Sequence, residues 1–69
     1  MPLTLADIGV EYIVRRIGGR QEVRQHLENL GFVPGATVIL VSRTMGNVIV
    51  NVKESRIAIN SDMAQKIFV

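Results

Sequence analysis

The sequence predicts a small, mainly β domain: a barrel of five short strands, with one helix between strands 1 and 2 and a short helical turn before the last strand. Three observations carry this. Val and Ile account for 18 of the 69 residues, and their stiff, branched side chains pack well on a pleated surface. Short aliphatic stretches are separated by Gly, Pro, Asn and Ser, the residues of tight turns. Only one long stretch, beginning at Arg20, has helical rather than strand periodicity. Closing short strands into a barrel would also hide their edges.

The elements follow in order. Thr4-Leu5-Ala6-Asp7-Ile8-Gly9 reads as a helical turn, capped by Thr4 and ended by Gly9. Glu11 to Ile17 reads as the first strand, broken by Gly18-Gly19. Val23, Leu27 and Leu30 fall at i, i+4 and i+7, one stripe of a helix. Gly31 stands where a left-handed C-cap is expected, with Phe32 folding back onto the helix end. Val33-Pro34-Gly35-Ala36 fits a type II turn, Pro supplying the fixed φ and Gly the positive one. Thr37 to Arg43 and Val48 to Lys53 are the second and third strands, joined by the hairpin loop Thr44-Met45-Gly46-Asn47. Arg56 to Asn60 is the fourth strand, Ser61 an N-cap for one turn through Lys66, and Ile67-Phe68-Val69 the last strand.

A chain this short buries only about 60% of its unfolded surface, so its core is marginal. It has no cysteine and one histidine, which excludes disulfides, thiolate metal sites, a Cys nucleophile and a multi-His site within one chain. Aromatics are only 4%, so the core must be aliphatic. No apolar run approaches the roughly 18 residues of a membrane helix, and Met1 to Asp7 lacks the basic start of a signal peptide. These features suit a soluble cytoplasmic domain occupying residues 1–69.

Catalytic chemistry is not visible. The only base available to a Ser or Thr nucleophile is His26, on the helix and without an orienting partner. The six carboxylates are scattered, and no D-x-D-x-D loop offers clustered oxygens. No catalytic residue, in-chain metal ligand or cofactor is therefore assigned. A metal site shared between subunits, using His26 or a carboxylate, stays open. Gly18-Gly19 lacks the rest of a phosphate-binding motif and is read as a strand-to-helix break. Arg15, Arg16, Arg20 and Arg24 lie within ten positions, so a small basic barrel binding nucleic acid is an alternative. The net charge of +2 and the expected burial of Tyr12, Phe32 and Phe68 count against it.

The strands carry more aliphatic residues than one interior needs. Val38 and Leu40 share a face with Val48, Val50 and Val52, leaving Ile39, Val41, Ile49 and Ile13 on the other. Either the helix and terminal segments cover this second set, or it is an exposed patch that docks a partner.

The run Leu30-Gly31-Phe32-Val33-Pro34-Gly35 resembles the L-G-hydrophobic-x-P-G signature of FeoA-type domains (ferrous iron transport protein A). Leu5-x-x-Ile8-Gly9-x-x-Tyr12-x-Val14-x-x-Ile17 is similar to the family's opening turn and first strand, and Gly19 to its glycine before the helix. Met45-Gly46-Asn47 matches its loop between strands 2 and 3, Arg56-Ile57-Ala58-Ile59 its penultimate strand, and Ala64-x-x-Ile67-x-Val69 its closing segment. One departure stands out: the family's loop commonly has a proline, whereas here Asn47 leads directly to Val48.

The resemblance implies an SH3-like barrel and a cytoplasmic, non-enzymatic accessory protein of bacterial ferrous iron uptake acting on the membrane transporter FeoB. Joined to the reading of the residues, it points to a protein-interaction module. Its expected contacts are Ile39, Val41, Arg43, Thr44, Met45, Gly46, Asn47 and Ile49, with Leu30, Gly31, Pro34 and Gly35 as the structural motif. Oligomeric state, and the use of metal at a subunit interface, are left open.

Overall fold

The computed structural model describes residues 1–69. A 3-10 turn at Leu3–Leu5 is followed by β1 (Glu11–Ile13), β2 (Arg16–Ile17), α1 (Gln21–Leu30), β3 (Thr37–Thr44), β4 (Asn47–Val52), β5 (Ser55–Asn60), α2 (Ser61–Ala64) and β6 (Ile67–Phe68). The strands form two antiparallel sheets, β1-β3-β4-β5 and β2-β6. The mainly β class is as expected. The number of strands and the closure of the barrel are corrected: there are six strands, and the two sheets do not join into one hydrogen-bonded ring.

The ring is open because β5 pairs with β4 alone and β6 with β2 alone, and the extra strand has a separate cause. The expected first strand changes partners halfway. Val14 still exchanges hydrogen bonds with the turn before β3, its N–H donating to Ala36 O (2.9 Å) and its carbonyl accepting from Gly35 N–H (2.8 Å). The next amide, Arg15 N–H, donates to Phe68 O in the other sheet (2.7 Å). One extended segment thus serves two sheets and must bend between them.

Local signals produce the helix and its exit. Leu27 is buried, while Val23 and Leu30 pack half-buried against the core. Gly31 sits at φ 110°, its N–H donating to Glu28 O, and Phe32 N–H reaches back to Leu27 O (3.0 Å). This is a Schellman ending, and it carries Phe32 into the core fully buried. Immediately after it, Ala36 N–H donates to Val33 O (2.9 Å), with Gly35 at φ 92°, as a type II turn requires. Two expected caps are corrected. Asn60, not Ser61, caps α2, its Oδ1 accepting from Met63 N–H (2.8 Å). The opening turn starts after Pro2 with no side-chain cap, so Thr4 does not serve as one.

The core is one inward row repeated across strands. Val38 and Leu40 on β3, Val48, Val50 and Val52 on β4, and Ile59 on β5 are buried. Leu3, Ala6, Leu27, Ala64 and Ile67 close over them. Of the three aromatics only Phe32 is fully buried. Tyr12 is half-buried, with its hydroxyl accepting from Asp7 N–H (3.0 Å). Phe68 is half-buried, with the Arg16 guanidinium 4.0 Å above its ring.

A β-bulge interrupts β3. Leu40 pairs with Val50, but Ser42 pairs with Ile49, so Val41 is the extra residue. The phase of the strand flips there. Ser42 joins the outward row in register with Ile49, and Arg43 falls in register with the buried Val48. From that position Arg43 Nη2 donates to Ala6 O and ties the end of β3 to the opening turn.

Two outcomes are expected. Gly31→Ala places a Cβ at positive φ and 3.3 Å from Lys53 Cδ. It should cost roughly 1–2 kcal/mol, a fall in Tm of about 4–8 °C per kcal/mol in a domain of this size. Arg43→Ala should cost about 1 kcal/mol and speed exchange of the Gly9 amide, which bonds Leu40 O beside the bulge (2.9 Å). Melting curves and amide exchange check both.

Candidate functional site

The candidate site is the outward face of the four-stranded sheet. Its cross-strand rows follow from the register. Ile13 stands opposite Thr37; Glu11, Ile39, Asn51 and Arg56 form the next row; Ser42, Ile49 and Ala58 another; Thr44, Asn47 and Asn60 the last. Val41 sits at the bulge between the second and third rows. Ile39 and Ile49 are diagonal neighbours across β3 and β4, within side-chain reach.

None of these aliphatic residues is buried. Ile13 is 60% exposed, and Ile39, Val41 and Ile49 are half-buried and lie outside the core cluster. Neither α1 nor the chain ends bury them. Beside Ile39 lies a shallow groove of about 400 Å³, lined also by Ala36, Thr37, Asn51, Val52, Lys53 and Glu54. Lys53 and Glu54 form the two-residue turn between β4 and β5 with positive φ at both (49° and 65°). Two successive non-glycine residues in the left-handed region store backbone strain at the rim of this groove.

The expected contact residues are placed unequally. Ile39, Val41 and Ile49 share the outward face. Thr44, Met45, Gly46 and Asn47 form the hairpin end of the same sheet, with Met45 fully exposed at the tip. Thr44 Oγ1 donates to Asn47 O (3.4 Å), and Gly46 O accepts from Ser61 N–H (2.9 Å), so the loop is braced against α2. Arg43 is the exception. The bulge removes it from the outward row, and its guanidinium is engaged with the opening turn. In the structural motif, Leu30 packs against the core, Gly31 and Gly35 hold the positive φ values described above, and Pro34 is exposed.

One group was missed as surface. Leu5 (68% exposed), Ile8 (53%) and Val10 (45%) are apolar residues left in solvent between the opening turn and β1. Gly9 in their midst bonds β3 at Leu40, so this segment runs beside Val41. The available signal was that a short turn has too few neighbours to bury three closely spaced aliphatics. The basic residues Arg15, Arg16, Arg20 and Arg24 are all exposed, and Arg16 is also stacked on Phe68. His26 is exposed on α1, on the flank of the apolar stripe. No three His, Cys, Asp or Glu side chains come together in an arrangement that could hold a metal ion.

Comparison with known proteins bears on the family and the fold. The family model described as the FeoA domain matches residues 1–69. A protein of Methanocaldococcus jannaschii, which carries the provisional name Fe(2+) transport protein A, is 35% identical over 68 residues, covering 99% of this chain and 83% of that one. The crystal structure of an iron uptake regulatory protein (FeoA) superposes with a TM-score of 0.88 at 35% identity, covering 97% of this chain and 91% of the other. The zinc complex of Stenotrophomonas maltophilia FeoA, described as a procaryotic SH3 domain protein, matches with a TM-score of 0.86 over all of this chain and 88% of that one. At 23% identity it speaks to the fold alone. Matched by the family model over its whole length, the chain belongs to the FeoA family and has the SH3-like fold.

Proposed function

We propose that this chain is a cytoplasmic, non-enzymatic accessory protein of ferrous iron uptake, a single domain that docks on the FeoB transporter. Family membership and the Fe(2+) transport name of the M. jannaschii relative supply the iron-uptake setting. The observation that carries the docking reading is the outward pair Ile39 and Ile49, left half-buried by the chain's own fold with Val41 and Ile13 around them. Aliphatic side chains held on a rigid sheet lose little entropy when covered, so their burial contributes directly to association. Met45 protrudes at the end of the same sheet on a braced turn, and its flexible thioether suits an adaptable contact.

In this reading Ile39, Val41 and Ile49 form the apolar centre and Thr44, Met45, Gly46 and Asn47 a flanking loop contact. Arg43 acts from behind by holding the strand end in place.

The double variant Ile39→Asp/Ile49→Asp is the test. Each half-buried Ile has only part of the ~1.5–3 kcal/mol of full burial left to gain, but two carboxylates in the contact add their desolvation cost, so the variant should weaken binding to the cytoplasmic portion of FeoB by roughly 10–100-fold. Circular dichroism should report an unchanged fold, because both side chains face outward. Binding that survives in a folded double variant rules this surface out.

A further inference from the structure

β5 is an edge strand with no strand paired to its outer side. It pairs with β4 alone, and the sheet ends there. Its turn fixes which backbone groups are free. A two-residue hairpin loop at Lys53-Glu54 makes Val52 and Ser55 the closing hydrogen-bonded pair. Residues 55, 57 and 59 therefore bond β4, and the N–H and C=O of Arg56 and Ala58 point away from the sheet. No backbone hydrogen bond outside the sheet reaches either residue, and both are exposed.

Protein edges are usually blunted by lysine, proline, a bulge or shortness. β5 spans Ser55–Asn60 with none of the first three. Its one charge, Arg56, is drawn back over its own sheet by a hydrogen bond from Nε to Asn51 Oδ1 (3.2 Å). The opposite edge, β1, has only three residues.

We propose that two copies of this chain associate through their β5 edges, antiparallel, with Ile57 on the two-fold axis. In this register Arg56 lies opposite Ala58 of the second copy and Ala58 opposite its Arg56. Two reciprocal pairs form, and all four free groups on each strand are satisfied. Arg56 faces the smallest side chain on the outer face rather than its own like charge. Ile57, half-buried against the core, meets its counterpart in the close, non-hydrogen-bonded position at the axis. A second copy is the occupant favoured because the partner must present an unpaired strand with free groups at alternate residues, and β5 is the one such strand of this length in the fold.

The interface is small. A stable one covers about 800 Å² per partner, against a whole-chain surface of 4325 Å². Six edge residues cannot supply that, so the dimer is transient and concentration-dependent. It does not rest on the proposed function.

Amide exchange by NMR on the unaltered protein, from micromolar to millimolar, tests this alongside sedimentation equilibrium. The Arg56 and Ala58 amides should slow by roughly tenfold or more as a dimer appears, while Ile57, already bonded to β4, stays protected throughout. Ala58→Pro removes an edge donor that the monomer does not use, and should abolish both the slowing and the dimer. A protein that remains monomeric at millimolar concentration overturns the proposal. So does a dimer that protects β1, or one that leaves Arg56 and Ala58 exchanging freely.

Discussion

The inward aliphatic row shared by β3, β4 and β5 is the constraint on which the rest depends. The chain has no cysteine and no tryptophan, so apolar burial must hold it together. Side chains alternate along a strand, so each inward Val or Leu commits its neighbours to the other face. A slip of one residue would expose Val48, Val50 and Val52 together and bury Asn47 and Asn51. That penalty locks the register. The locked register in turn decides, without any further requirement, that Ile39 and Ile49 face away from the core. The candidate surface is a consequence of the core's geometry.

The bulge at Val41 refines this arrangement. A strand of eight residues with strict alternation would place Arg43 beside Val41 and Ile39. Inserting one residue sends Arg43 to the inner side at the end of the sheet, where its long side chain reaches the Ala6 carbonyl. Ser42 takes its place outside, next to Ile49. The opening turn is thereby pinned near the end of β3, and with it the exposed Leu5 and Ile8. A local irregularity thus sets which apolar residues are gathered at the surface.

What could be read from the sequence was whatever local chemistry decides. The stripe Val23, Leu27, Leu30, the glycine ending at Gly31 and the Pro34-Gly35 turn each depend on residues within one or two turns of chain, and each is where periodicity and φ preference put it. The partner change between Val14 and Arg15 could not be read, because it is set by Ala36 and Phe68, distant in sequence. The bulge was equally hidden: Leu40-Val41-Ser42 contains no glycine or proline to announce it. Choosing Asn60 over Ser61 as cap was a near-tie between two good capping residues, decided by where β5 ends. For the surface, alternation alone was enough to select Ile13, Ile39 and Ile49, and it failed at Arg43 because the alternation is broken there.

The surplus of aliphatic residues has a further physical meaning. A 69-residue domain with a marginal core gains no stability from isoleucines in contact with water, and half-exposed β-branched residues raise the risk of association. The strained turn at Lys53-Glu54 adds to that cost at the rim of the same groove. A sheet whose outer face were threonine and lysine would keep the same core, the same register and the same turns. The aliphatic outer face is therefore not required by folding, and it costs solubility. In the proposed function a partner covers Ile39 and Ile49, which the chain's own fold leaves half-buried and outside the core.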